Sequence, residues 1–330
     1  RAGLVGEVGA RGRLLRLRSP QNVAAEMALL AHAAGGTGIF CFHDDNFLLP
    51  RPADTLARVR AIRAALDDYG VGRVALVGKA RPDCVTPELL RDLAGLGLIR
   101  LYVGVENAAQ LGADHLGRGV QAVAVEQALA ACRDAGIFAC YNLLLFEPDA
   151  TLDDVRENLA FIRRHDAHPV NFCRAEPYYG TPLHRDLAAR QAVSGSWLGF
   201  SYRIADDQAE LLFRVCAAAF RQRNFDPHGV ANRHMGLGYA AKILEHFHDE
   251  RGGARAALVS RAAALTTAIV RNTADLLDRA VALVERFGAA AHRDRLERET
   301  ALLGLQIAVA DRGWHAAIAA LQADMARLGA

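Results

Sequence analysis

Long apolar runs are what this 330-residue chain most plainly lacks: none reaches the roughly eighteen residues that a membrane-spanning helix requires. An excess of either charge is missing too. With 39 Lys and Arg against 37 Asp and Glu, the net charge of +2 gives no electrostatic case for a nucleic-acid partner, and no membrane partner is expected. Cysteine is scarce and dispersed. Cys41, Cys84, Cys132, Cys140, Cys173 and Cys216 have the spacing of neither a disulfide framework nor a zinc site, so they read as reduced thiols of a cytoplasmic protein. The opening RAGLVGEVGARGRLLRLRS scatters charge where a signal peptide would have an apolar centre. Arg1 stands where a start methionine would, so a trimmed or incomplete chain is expected. What is abundant is apolar: 52% hydrophobic residues over this length supply a sizeable core and two subdomains, expected at 1–190 and 191–330.

Apolar strand candidates begin near Gly38, Val71, Leu98, Gly136 and Pro169, at intervals of 27–38 residues. That interval suits a strand followed by a crossover helix. Ser19-Pro20 and Thr86-Pro87 each place a capping hydroxyl before a proline at the first helical position. Thr151 precedes LDDVRENLAFIRRH, whose acids fall in the first turn and bases in the last, as the helix dipole favours. Gly97 and Gly136 sit where helix C-caps are wanted. The alternation predicts a parallel sheet with right-handed crossovers.

Unusual polar residues gather at the same end of every strand: HDDN (43–46), KARPD (79–83), VEN (105–107), FEPDAT (146–151) and RAEPYYGTP (174–182). In a (β/α) barrel that end is where active sites are built. Two adjacent acids repel each other, so folding alone gives little reason for Asp44 and Asp45; a rim of a site, or an Asx turn, does. After about residue 190 the rhythm stops. One amphipathic helix is expected after Asp206, a suitable cap, and from Arg255 to about Leu328 nearly all residues favour helix. RQRNFDPHGVANRHM (221–235) reads as a solvated linker, and is also the part of the tail best suited to substrate recognition. His246 and His248 in HFHDER (246–251) are two apart, on opposite sides of a helix, and are not expected to share a metal.

RSPQNVAAEM (18–27), IFCFHDDNF (39–47), ARPD (80–83), GVEN (104–107) and LGRG (116–119) together resemble radical S-adenosylmethionine (SAM) enzymes. More narrowly, they resemble the class whose full-length members carry a cobalamin-binding (B12) domain ahead of the barrel. LLLFEPDATLDDVRENL (143–159) and EPYYGTPL (176–183) extend the likeness in order, over roughly residues 13–190. The resemblance implies an α/β fold: a partial (β/α)6 TIM-like barrel whose first strand is missing, followed by an α-helical C-terminal region. It also implies SAM and a [4Fe–4S] cluster as cofactors. The family's CxxxCxxC loop, three thiolates that leave one iron free for SAM, is absent from this sequence. In the family that loop lies shortly before the segment that here reads GRLLRLRSP, so the chain is expected to be a C-terminal fragment of a longer enzyme. The cobalamin domain would also lie outside it.

The resemblance assigns cofactor contacts by position. Asp44, Asp45 and Asn46 would receive the amino group of SAM, where a carboxylate gives a charge-assisted acceptor. Counting by twos from Phe40 and Phe42 favours Asp44 among them, if the strand continues that far. Arg81 would pair with the cofactor's carboxylate, or is a surface arginine tied to Asp83. Glu106 and Asn107 stand where the family has Glu-Ser, near the ribose or methionine end. Asn142 is a polar residue in an apolar strand, and Glu147 follows where relatives turn near the adenine. Tyr178, with Tyr179, ends the last strand and would flank substrate or cofactor. The expected activity is a radical modification, methylation among the options, of a small molecule or peptide. Two alternatives stay open: a metal-dependent (β/α)-barrel hydrolase or lyase using His43, Asp44 and Asp45, and a non-catalytic barrel that lost its cluster.

Overall fold

A computed structural model describes residues 17–117, 119–248 and 252–329. In chain order it contains α1 (Pro20–Ala33), β1 (Gly38–Cys41), α2 (Pro52–Asp68), β2 (Val74–Ala80), α3 (Pro87–Gly95), β3 (Leu98–Val103), α4 (Gln110–His115), α5 (Ala122–Asp134), β4 (Phe138–Phe146), α6 (Leu152–Arg164), β5 (Val170–Arg174) and α7 (Pro182–Ala189). A hairpin, β6 (Val193–Ser196) and β7 (Gly199–Tyr202), follows, then α8 (Asp207–Ala219), α9 (Val230–Phe247), α10 (Gly252–Phe287) and α11 (Arg293–Gly329).

The helix ends form for the local reasons expected. Ser19 and Thr86 accept hydrogen bonds from the amides of Asn22 and Leu89, each ahead of a proline. Thr151 and Asp154 complete a reciprocal capping box at α6. Gly97 adopts φ +105°, and a Cβ there would lie 2.5 Å from the Val74 carbonyl oxygen, so this turn requires glycine.

All five main strands pair in parallel, in the order β1-β2-β3-β4-β5, and curl into a half-barrel. The convex face carries Leu76, Leu101, Val103, Tyr141, Leu143 and Phe172 into the main core, together with buried residues of α1, α2, α3, α5 and α6. On the other face Ala75, Val77 and Ile99 form a separate cluster with Tyr239, Ile243 and Phe247 of α9. A helix from the C-terminal region therefore covers the lower part of the concave face. A register shift at Leu76/Val77 skips Ile99 and turns Arg100 to the same side as Val77.

Two features of the tail depart from expectation. Residues 193–202, for which no strand was expected, form an antiparallel hairpin. Its anchor is Arg174, whose guanidinium lies 4.7 Å from the ring centres of both Tyr202 and Phe213 and donates to the Tyr202 carbonyl and Ser201 Oγ. Tyr202 also donates its hydroxyl hydrogen to the Phe146 carbonyl at 2.8 Å. The second departure is residues 221–235, which are not a solvated linker. Arg221–Phe225 is a π-helical turn in which Arg223 and Asn224 are buried. Asn224 bonds both the amide and carbonyl of Phe172, as if extending β5 by one side chain.

Candidate active site

Side-chain alternation decides what the half-barrel presents inward. On β2 the inward set is Ala75, Val77 and Lys79, because Val74, Leu76 and Ala80 enter the helix-covered core. On β3 it is Arg100 and Tyr102; on β4, Cys140, Asn142 and Leu144; on β5, Asn171 and Cys173. Register places Lys79 beside Tyr102 and Tyr102 beside Cys140. The Arg100 guanidinium stacks 4.8 Å from the centre of the Tyr239 ring and donates to Cys140 Sγ at 3.5 Å. The lower concave face is thus apolar and filled by α9. Its upper part is lined by polar groups from β2, β3, β4 and β5.

Glu106 stands above that lining. Its backbone has φ +62°, rare for a residue with a Cβ, and is held there by a bridge to Leu143 and by the Leu144 amide, which donates to its carbonyl at 2.5 Å. The Glu106 carboxylate lies near Tyr102 and Cys173. Burial, and then that carboxylate, push the Tyr102 phenol up, and they push the Cys173 thiol to about 11. Both groups therefore stay protonated near neutral pH and offer hydrogen-bond donors beside an acid. Asn142 is half-buried on the same face.

The other predicted residues are placed differently. Asp44 and Asp45 are exposed in the loop after β1, which ends at Cys41, so alternation does not carry to them. Phe40 and Phe42 pack on the main core, and Asp44 lies near Arg58 of α2. Asn46 accepts from the Arg81 amide at 3.1 Å and donates to Cys84 Sγ at 3.4 Å, tying two rim loops together. Arg81 grips Asp83 with two contacts of 3.0 and 2.8 Å, the surface pairing weighed for it above. Asn107 is buried: it donates to the Leu144 carbonyl and accepts from Ala109 N–H and Asn158 Nδ2, holding the chain just after Glu106. Tyr178 is exposed and donates to Glu176 at 2.7 Å. Residue 118 of LGRG and residues 249–251 of HFHDER lie outside the described residues.

Residues 7–162 match the Radical SAM superfamily. Over those residues this chain is a radical SAM domain. An uncharacterised methyltransferase of Pyrococcus horikoshii is 23% identical over 172 residues, which cover 52% of this chain and 36% of that protein. The structure of the cobalamin-dependent SAM radical enzyme OxsB with aqua-cobalamin bound matches 94% of this chain and 55% of its own, with a TM-score of 0.58 and 14% identity. The methyltransferase TsrM from Kitasatospora setae, 23% identical, matches 53% of this chain and 32% of its own, with a TM-score of 0.46. The chain thus spans little more than half, or less, of these proteins.

The superfamily implies a [4Fe–4S] cluster, and this radical SAM domain does not hold three thiolates for one. Among the described residues, which include all six cysteines, no three thiols come within reach of one metal. Cys84, Cys132, Cys140 and Cys216 are buried in packing positions. Burial pushes the Cys132 thiol up to about 12, away from the thiolate a metal needs. SAM fits better: an amino acid and a ribose want the acceptors and donors that Glu106, Asn142 and Tyr102 bring to one face. His43, Asp44 and Asp45 do not form a metal-ligand group. Among the described residues the only such group is His115, Glu147 and Asp149, and Arg190 occupies both oxygens of Asp149 at 2.7 and 2.9 Å.

Glu147 itself is fully buried beside the rim of the radical SAM domain and accepts from His115 Nδ1 and the Asp149 amide, each at 2.9 Å. That hydrogen bond raises the His115 pKa from its ordinary 6.5, against a smaller opposing effect of burial. A raised folded-state pKa stabilises the fold fully below the unfolded value and stops doing so as pH rises through the folded one. The gap in melting temperature between wild type and His115→Gln should therefore be widest at about pH 6 and shrink as pH rises. A gap independent of pH would show that the imidazolium charge does not hold Glu147.

Tyr102 and Arg100 were missed in the sequence, and Lys79 was named only as part of KARPD, although counting back by twos from Glu106 along LYVGVE finds Tyr102 on its parity. Arg100 was hidden by the register shift beside it.

Proposed function

We propose that this chain is the post-cluster part of a cobalamin-dependent radical SAM enzyme that modifies, by methylation or another radical transfer, a small molecule or peptide. The radical SAM match over residues 7–162 carries this reading. The likeness in fold to OxsB supports it, since it runs through the C-terminal helices as well as the barrel. Cluster ligands and a cobalamin site would come from polypeptide other than these 330 residues. When bound, SAM supplies the radical or methyl group that such enzymes transfer. The role of this chain is binding and orientation: Glu106 accepts hydrogen bonds from the ammonium or ribose end, Tyr102 and Asn142 border it, and α9 closes the floor against water. Substrate sits over the same rim, among the loops after β4 and β5.

In the cluster-bearing enzyme, Glu106→Gln should weaken SAM binding by about 1–3 kcal/mol, the range for a lost charge-assisted contact. Iron content should stay at the wild-type value, because Glu106 is not a cluster ligand. Calorimetric titration with SAM checks this, and equal affinities for wild type and variant would remove Glu106 from the site.

A further inference from the structure

A cavity of about 980 Å³ lies between α8 and α11, lined by no residue of the sheet. Leu211 packs at Gly288, Ala219 at Gly304 and Arg223 at Asp311, so the two helices run side by side in the same sense. The trough beside their contact follows α8 and the π-helical turn after it from Leu211 to Gln222, about three helical turns or roughly 16 Å. Its floor is small and apolar: Val215, Ala218, Ala301, Gly304 and Ala308. Leu305 of α11, 64% exposed, borders the trough, and Leu302 and Val309, 50% and 59% exposed, lie beside it on α11 outside the lining.

The charges at the trough are placed at its ends. Arg293 begins α11 at the Leu211 end, and Arg221 follows α8 at the Asp311 end. Neither has a carboxylate within ion-pair distance among the described residues, while the other charged groups are largely spoken for: Arg214 by Glu210, and Asp311 by Arg223. Glu297, one turn from Arg293, is the exception. We propose that this trough docks an amphipathic helix of a partner polypeptide that carries carboxylates about three turns apart with leucine-like residues between them. Such a helix puts its apolar stripe on the alanine and glycine floor, as ridges settle into grooves. Its acidic ends meet Arg221 and Arg293, for which no carboxylate stands within ion-pair distance among the described residues. The proposal is independent of the radical SAM chemistry, since no residue of the sheet lines the trough.

The probe is a fluorescein-labelled helical peptide with leucines at helical spacing and Glu in its first and last turns, followed by anisotropy against the 330-residue chain. A control peptide has Lys for each Glu. Saturable binding of the Glu peptide is expected, at least about tenfold weaker for the Lys peptide and for the double variant Arg221→Glu, Arg293→Glu. Ala301→Trp, a substitution at an exposed position, should abolish binding by filling the floor and leave the melting temperature unchanged. Equal binding of both peptides, or no saturable binding of either, overturns the proposal. So does a dimer in solution that Ala301→Trp disperses, which would make a second copy the occupant. Displacement of the peptide by a long-chain fatty acid at equimolar concentration would make the trough a lipid site instead.

Discussion

Replacing Arg223 with methionine should destabilise the protein by about 3–5 kcal/mol, the cost of leaving a buried charge without its partner. Arg223 is only 1% exposed, and all three of its guanidinium nitrogens donate hydrogen bonds. It donates to Asp311 from two nitrogens, at 2.8 and 2.5 Å, to Asn272 at 2.8 Å and to Thr273 at 3.3 Å. One side chain thereby ties the π-helical turn after α8 to both α10 and α11. Methionine fills much of the volume and supplies none of the donors, so Asp311 is stranded in a low-dielectric site. Adding Asp311→Leu should restore most of the loss, because an apolar pair of similar size has no desolvation cost to recover. Urea unfolding of wild type, single and double variants measures both effects. A single variant within about 1 kcal/mol of wild type would show that water reaches Asp311 and that the knot is looser than its geometry.

A second large effect is expected where α6 packs against the half-barrel: Asn158→Leu should cost about 2–4 kcal/mol. Asn158 is completely buried on α6. Its amide nitrogen donates to Asn107 Oδ1 at 2.8 Å and to the Asp154 carbonyl at 2.9 Å, and its oxygen accepts from the Ala108 amide at 2.9 Å. Leucine keeps the branched skeleton of asparagine but is bulkier and offers no hydrogen bonds, so the loss combines tighter packing with a buried N–H and a buried oxygen left with fewer partners. The segment being held is the one that follows Glu106 in its φ +62° conformation. Asn158→Leu should therefore also loosen cofactor binding in the cluster-bearing enzyme, while an equally destabilising substitution in a helix elsewhere on the convex face would not. Thermal unfolding gives the first effect and calorimetry the second; unchanged stability would mean that the Asn107–Asn158 pair is dispensable.

The strands were legible because the half-barrel buries them on periods that one segment sets by itself. Gly38, Leu98 and Pro169 fall within a residue of strand starts, and Gly97 and Gly136 end their helices with positive φ. Caps such as Thr151 with Asp154 are equally local, three residues apart. The polar ends of the strands likewise announced a rim, and Glu106 and Asn142 lie where that rim overlooks the concave face. What stayed hidden depends on partners far away in the chain. Asn107 looked like a ligand because it adjoins Glu106 in GVEN; its fate is set by Asn158, 51 residues on. Arg223 sits in a segment rich in polar residues and reads as solvated until Asp311, 88 residues on, is brought to it. The hairpin at 193–202 has too few β-branched residues to declare itself, and exists because Arg174 and Phe146 hold Tyr202. Arg100 stayed hidden because a register shift breaks the count by twos.

Anaerobic reconstitution of the 330-residue chain with iron and sulfide tests the central claim most directly, that this radical SAM domain carries the cofactor-binding half-barrel without its cluster ligands. After desalting, the account predicts essentially no protein-bound iron and no cluster absorbance, because no three of the six cysteines can share one cluster. Recovery of about four irons per chain with the absorbance of a [4Fe–4S] centre would contradict it.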